Sequence, residues 1–310
     1  MPLKVLFSLA KGRLPDAGQR GPGIAQSGMG NSVQSFYGRD TLRYVRLMLL
    51  VVPLLLVVAI IVYGVVNQRI ESSISSYYLG PARDLFVAML VTTGVLLVVY
   101  SGPPLEDLSL NLAGFYAMFV ALVPTKLGQT LQELSQGERV KLVLSVRVAI
   151  IAILVVTAVF AWLGWRTKRW PRREFMHNLP TTVLTLIGVV LLAGFLLLLT
   201  WRTIEGTEFA GVHASAAALM IGSMGIAIAS HVGPARLCPG GGAGERSWHY
   251  AVLVGLMAAG LIAWPVLEAL GISQALFIVE WFEIGLFSYF WYLESRRLWH
   301  EPERIAPILG

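Results

Sequence analysis

Glu280 and Glu283 stand one helical turn apart inside the apolar run FIVEWFEIGLFSYFW, residues 277–291. Carboxylates on one helix face can handle a proton, hold a cation, or serve as acid, base or ligand in a reaction. An ionised acid at the centre of a bilayer costs about 2.5–3.5 kcal/mol by insertion scales, so each must be neutral, paired or turned to a wet cavity. Their spacing excludes one facing lipid while the other faces protein. Counted from Ser273 at ~1.5 Å per residue, Glu280 lies about 10 Å and Glu283 about 15 Å deep.

Their prospective partners begin at the ends of other apolar runs. His213 opens one, Arg83 and Asp84 open another after SSYYLGP, Arg147 lies one turn into a third, and Glu268 closes a fourth. Together with Glu280 and Glu283 these residues outline a polar pocket facing outward. Each also has a plain structural role available. The two glutamates can clamp helices together, and Arg147 can snorkel to the interface. His213 can be an interfacial histidine, and Asp84 can favour a helix start. Glu106 and Asp107 read as the cap of the helix they begin, and FSYFWY as packing and interface anchoring.

Metal and nucleophile chemistry are weakly signalled. The chain has five histidines, and two of them, His213 and His231, are about 27 Å apart if they share a helix. No zinc-type ligand set is expected, and no cofactor. Ser72, Ser73, Ser75 and Ser76 lie in one loop that His213 could approach, without a Gly-x-Ser-x-Gly signature. CPGGGAGERS lacks the Lys and Ser or Thr that complete a phosphate-cradling loop.

The elements that position these residues are membrane helices. Of 310 residues, 56% are hydrophobic and 14% charged, against roughly 25% charged in soluble domains. The mean hydropathy is +0.69. The apolar runs are continuous over about 18–24 residues, the length of a spanning helix rather than a barrel strand. The fold class is all-α, a polytopic transmembrane bundle over 45–295. Its spans are expected near 45–67, 83–101, 108–125, 143–165, 180–201, 212–231, 249–271 and 273–295. That makes about eight, or seven if the short third does not cross.

Residues 1–44 read as a disordered basic arm and 296–310 as a tail. The six-residue apolar stretch of the opening is too short for a cleaved signal, so the first span is expected to act as an anchor. Basic residues in the arm, in RTKRWPRRE, in the loop holding Arg236 and Arg246, and in the tail place all four in the cytoplasm of a plasma-membrane protein. Trp162, Trp165, Trp201, Trp248 and Trp299 fall at span ends as anchors. The net charge of +6 is thereby a matter of topology, and no nucleic-acid partner is expected. The single cysteine, Cys238, excludes an internal disulfide.

At SSYYLGPARDLFV, EDLSLNLAGFYAMFVALVPT and VHASAAALM the chain resembles a group of bacterial multispan membrane proteins, a resemblance that implies no assigned activity. It faintly resembles the alkaline ceramidase and progestin-receptor-like hydrolases, which use Ser, Asp and His around zinc in seven helices. Ser76 and Asp107 are the approximate matches, placed by the topology on opposite sides. That family's paired histidines are absent, with Glu280 and Glu283 in their region, which argues against zinc hydrolysis.

Three functions fit these residues. The first is binding or transport of a proton, cation or polar lipid in the outward pocket. The second is hydrolysis or group transfer on a lipid-linked substrate. The third is a structural role as an assembly subunit. The corresponding partners are membrane lipid, a small-molecule or lipid ligand, and another protein.

Overall fold

The structure is a computed structural model that describes residues 27–68, 71–79, 82–125, 127–166, 179–205, 209–232 and 248–300. The chain divides into two compact units, 1–40 and 41–310. In the first, the described residues are helical from Ser27 onward, so helix begins inside the arm whose composition reads as disordered. The loop RTKRWPRRE beyond Arg166, the loop CPGGGAGERS and the tail beyond His300 lie outside the described residues.

All described elements are helical: α1 (Ser27–Asn67), a 3-10 turn (Ile74–Leu79), α2 (Arg83–Val99), α3 (Pro104–Leu122), α4 (Leu127–Glu133), α5 (Gln136–Arg166), α6 (Leu179–Glu205), α7 (Val212–Ala229), α8 (Trp248–Ala269) and α9 (Ala275–His300). Among the described residues, seven helices are long and apolar enough to cross a membrane: α1, α3 and α5–α9. The chain is an all-α, multi-pass integral membrane protein. The expected span 83–101 is α2, which at 17 residues is about 25 Å long. Phe86 near its start packs with Leu56, Tyr77 and Tyr78. Leu97 near its end packs with Leu49, Tyr250 and Trp291. It therefore connects the same two ends of the bundle as its longer neighbours.

The short, weakly apolar third run turns out to be the central helix. In α3, 61% of the most apolar window is buried, against 11% in α5 and 17% in α6. Surrounded by protein rather than lipid, α3 tolerates Ser109, Gly114 and Tyr116 on buried faces. Pro104 stands at its first position, where a missing N–H costs nothing. It packs backbone to backbone against α2. A Cβ on Gly114 would stand 2.5 Å from the Gly94 carbonyl oxygen and 2.8 Å from a Val98 methyl. The two backbones thus touch through paired glycines, as small residues allow where lipid supplies no hydrophobic drive and packing must hold helices together.

The α8–α9 hairpin fixes the position of the two glutamates. Gly271 takes φ 77°, which a side chain would strain. The Ile272 amide donates to Leu267 O and the Gly271 amide to Glu268 O, the paired bonds of a Schellman stop. The chain reverses there, and α9 runs back along α8 so that Glu283 meets Gly260.

Candidate functional site

Polar residues gather at both ends of the bundle, and an apolar cavity lies between. At the first end the turn Ile74–Leu79 is folded by Ser73, whose Oγ accepts from the Ser76 amide at 3.0 Å. This presents the Ile74 amide and the Ser75 hydroxyl to Glu280: the amide donates to Oε2 and the hydroxyl to Oε1, the latter at 2.7 Å. His213 reaches the same hydroxyl from the first turn of α7, with Nε2 3.0 Å from Ser75 Oγ. Its other nitrogen, Nδ1, is 2.7 Å from the Val123 carbonyl oxygen beyond α3. A carbonyl only accepts, so Nδ1 carries a proton.

Glu283, one turn further along α9, is different. It is 5% exposed, and neither carboxylate oxygen has a hydrogen-bond partner. It fits because α8 offers Gly260, where any Cβ would collide with Glu283 Oε1. Glu283, Glu280 and Ser75 border a cavity of about 140 Å³. That is near the size of an apolar cavity known to take a benzene-sized guest. Met89, Met220, Met224 and Met257 form much of its wall, and methionines adapt to varied shapes. An unpartnered carboxylate at such a wall is costly unless it is neutral, or its occupant donates a hydrogen bond or carries positive charge.

The remaining residues read from the sequence are placed elsewhere. Arg147 makes no ion pair with Glu280, and its Nε has no hydrogen-bond partner. It sits on α5 beside Val146 and Ile150, which pack with Phe195 and Phe209 rather than with α9. Arg83 is exposed and turns back onto Tyr78, 4.8 Å above its ring and 3.2 Å from its hydroxyl. Asp84 is exposed in the first turn of α2. Glu268 is exposed, and its backbone carbonyl serves the hairpin. Ser76 bonds Ser73 at one end of the bundle, whereas Asp107 bonds Asn111 on α3 at the other.

The opposite end holds a network that sequence reasoning missed. Glu294 on α9 is 0% exposed and pairs with Arg46 of α1 at 2.9 Å and with Arg297 at 3.2 Å. It also accepts from the Tyr250 hydroxyl at 2.7 Å. Arg46 donates to the Tyr100 hydroxyl at 2.8 Å, which donates to Glu106 at 2.9 Å. His231, just past α7, bridges the carboxylates at 3.3 Å from Glu106 and 3.9 Å from Glu294. The network ties α1, α3, α8 and α9 together through charge-assisted bonds. Glu106 is therefore more than a helix cap. The available signal was that Arg46 and Glu294 both lie inside apolar runs on the same side of the expected topology.

Compared with models of protein families, with curated proteins and with solved structures, the chain matches none. Among the described residues no group of three or more His, Cys, Asp or Glu is placed to hold a metal ion.

Proposed function

We propose that the protein binds a small amphiphile within the membrane, one with an apolar body and a cationic or hydrogen-bond-donating head, and carries it or presents it there. The observation that carries this reading is the Glu283 carboxylate, buried and unpartnered beside an adaptable apolar cavity. The head would meet Glu283, and the body would lie against the methionines. In the topology argued from basic residues, with both termini cytoplasmic in a plasma membrane, the Ser75 end faces outward and the Arg46–Glu294 network closes the cytoplasmic end.

Thermal unfolding with benzylamine as probe tests this reading. Wild type is expected to be stabilised increasingly as probe is added, following RT ln(1 + [probe]/Kd). Glu283→Gln is expected to fold but to lose most of the shift. An equal shift in both proteins would remove Glu283 from the site.

A second reading, acyl transfer by Ser75 with His213 as base, is favoured by their 3.0 Å separation. It is the weaker one. The Ile74 amide already serves Glu280, so a donor suited to an acyl oxyanion is taken by a resident carboxylate.

A further inference from the structure

We infer that Glu280, Ser75 and His213 form a proton-transfer chain, in which one proton resides at either end and crosses through the Ser75 hydroxyl. Hydrogens counted along three contacts fix this chain, whatever fills the cavity. The Val123 carbonyl, 2.7 Å from His213 Nδ1, requires a hydrogen on that nitrogen. Nε2 then either holds a lone pair, leaving the ring neutral, or a second hydrogen, making it imidazolium. Ser75 has one hydroxyl hydrogen and two close neighbours, Glu280 Oε1 at 2.7 Å and His213 Nε2 at 3.0 Å.

Only two arrangements satisfy every contact. In one, the carboxylic acid of Glu280 donates to Ser75 Oγ and the Ser75 hydroxyl donates to a neutral His213. In the other, imidazolium Nε2–H donates to Ser75 Oγ and the hydroxyl donates to a carboxylate Glu280. A carboxylate beside a neutral His213 would leave lone pairs facing each other at one contact, 3.0 Å at Nε2 or 2.7 Å at Oε1, whichever way the one hydroxyl hydrogen turned. A carboxylic acid beside imidazolium would leave two hydrogens competing for Ser75 Oγ.

The step between the two arrangements balances without any co-reactant. The Glu280 O–H bond breaks as a new bond forms at Ser75 Oγ. The former Ser75 O–H bond breaks as Nε2–H forms, and serine ends unchanged. Net charge is zero throughout, which suits a site inside a bilayer.

The surroundings leave this chain to itself. Glu283 lies one turn along α9 without a partner. On α2, Arg83 is held by Tyr78 and Asp84 is exposed. On α5, Arg147 is not bonded to Glu280, and on α8, Glu268 is exposed. From the turn, Tyr77 accepts from the Glu71 amide, and Tyr63 of α1 meets Tyr77 edge to face. Among the described residues, none of Glu283, Arg83, Asp84, Arg147, Glu268, Tyr63 and Tyr77 shares a hydrogen bond or ion pair with Glu280, Ser75 or His213.

The test uses the full chain in lipid nanodiscs, free of any ligand, with 15N-labelled histidine and 13C-labelled glutamate carboxyls. His213→Gln and Glu280→Gln assign the signals. At neutral pH the fraction of imidazolium at His213 should equal the fraction of carboxylate at Glu280, and the two should move together as temperature is changed. Ser75→Thr should preserve the match and Ser75→Ala should abolish it. Unequal fractions in wild type would overturn the inference, as would a matched pair in folded Ser75→Ala. A neutral His213 lacking the Nδ1 hydrogen would also overturn it, and that measurement needs no variant.

Discussion

Gly260→Ala separates a site built around Glu283 from a merely well-packed helix pair. The added Cβ would collide with Glu283 Oε1 and stand 3.2 Å from its carboxyl carbon and 3.4 Å from the Phe282 ring. The first contact is about 1 Å or more short of van der Waals separation, and the atom in the way is the end of a flexible side chain. The carboxylate should swing aside at a cost of about 0.5–1.5 kcal/mol for a poor rotamer. Alanine regains about 1 kcal/mol of helix propensity over glycine. Stability should therefore change by less than about 1 kcal/mol. Benzylamine binding should weaken at least tenfold, about 1.4 kcal/mol. Calorimetric titration beside thermal unfolding reads both quantities. On a Glu283→Gln background the same change should cost little further affinity, because both act on one group. An unchanged affinity in folded Gly260→Ala would refute the reasoning, and so would a loss fully additive with that of Glu283→Gln.

Other outcomes follow from the packing and the distant network. Glu294→Gln should lower stability by about 3–5 kcal/mol, because Arg46 is left buried without its counter-charge; unfolding in mild detergent would show it, and a change under 1 kcal/mol would mean the network is slack. Gly114→Ala should cost about 1–3 kcal/mol, since the new methyl meets the Gly94 carbonyl at 2.5 Å and backbone cannot step aside. Gly188→Ala on α6, whose nearest neighbour would be a Leu112 methyl at 3.4 Å, should be neutral or slightly stabilising in the same assay.

The bundle was legible because lipid imposes long apolar runs, and seven of the eight expected runs appear as helices able to cross. The third run looked weak for a physical reason. Hydropathy measures fitness for lipid, and α3 is wrapped by other helices. Glu280 and Glu283 could be singled out as carboxylates inside an apolar run, but their neighbours could not be read off. Ser75 is 205 positions from Glu280, and only the folded turn aims its hydroxyl inward. Arg147 looked the natural counter-ion by depth alone, yet depth does not say which way a helix face turns, and α5 packs against the Phe195 side. Arg46 and Glu294 were passed over because charges near span ends ordinarily mark topology. Here they reach one another across 248 positions of sequence.

The most direct test of the account is a comparison of benzylamine with benzyl alcohol, titrated into wild-type protein at neutral pH. The two share a benzene-sized body and differ in the head, so the cavity alone would hold them about equally. If Glu283 selects its occupant by charge, the amine binds at least tenfold more tightly and Glu283→Gln erases the preference. Equal affinities in wild type would contradict the claim that this buried carboxylate defines the site.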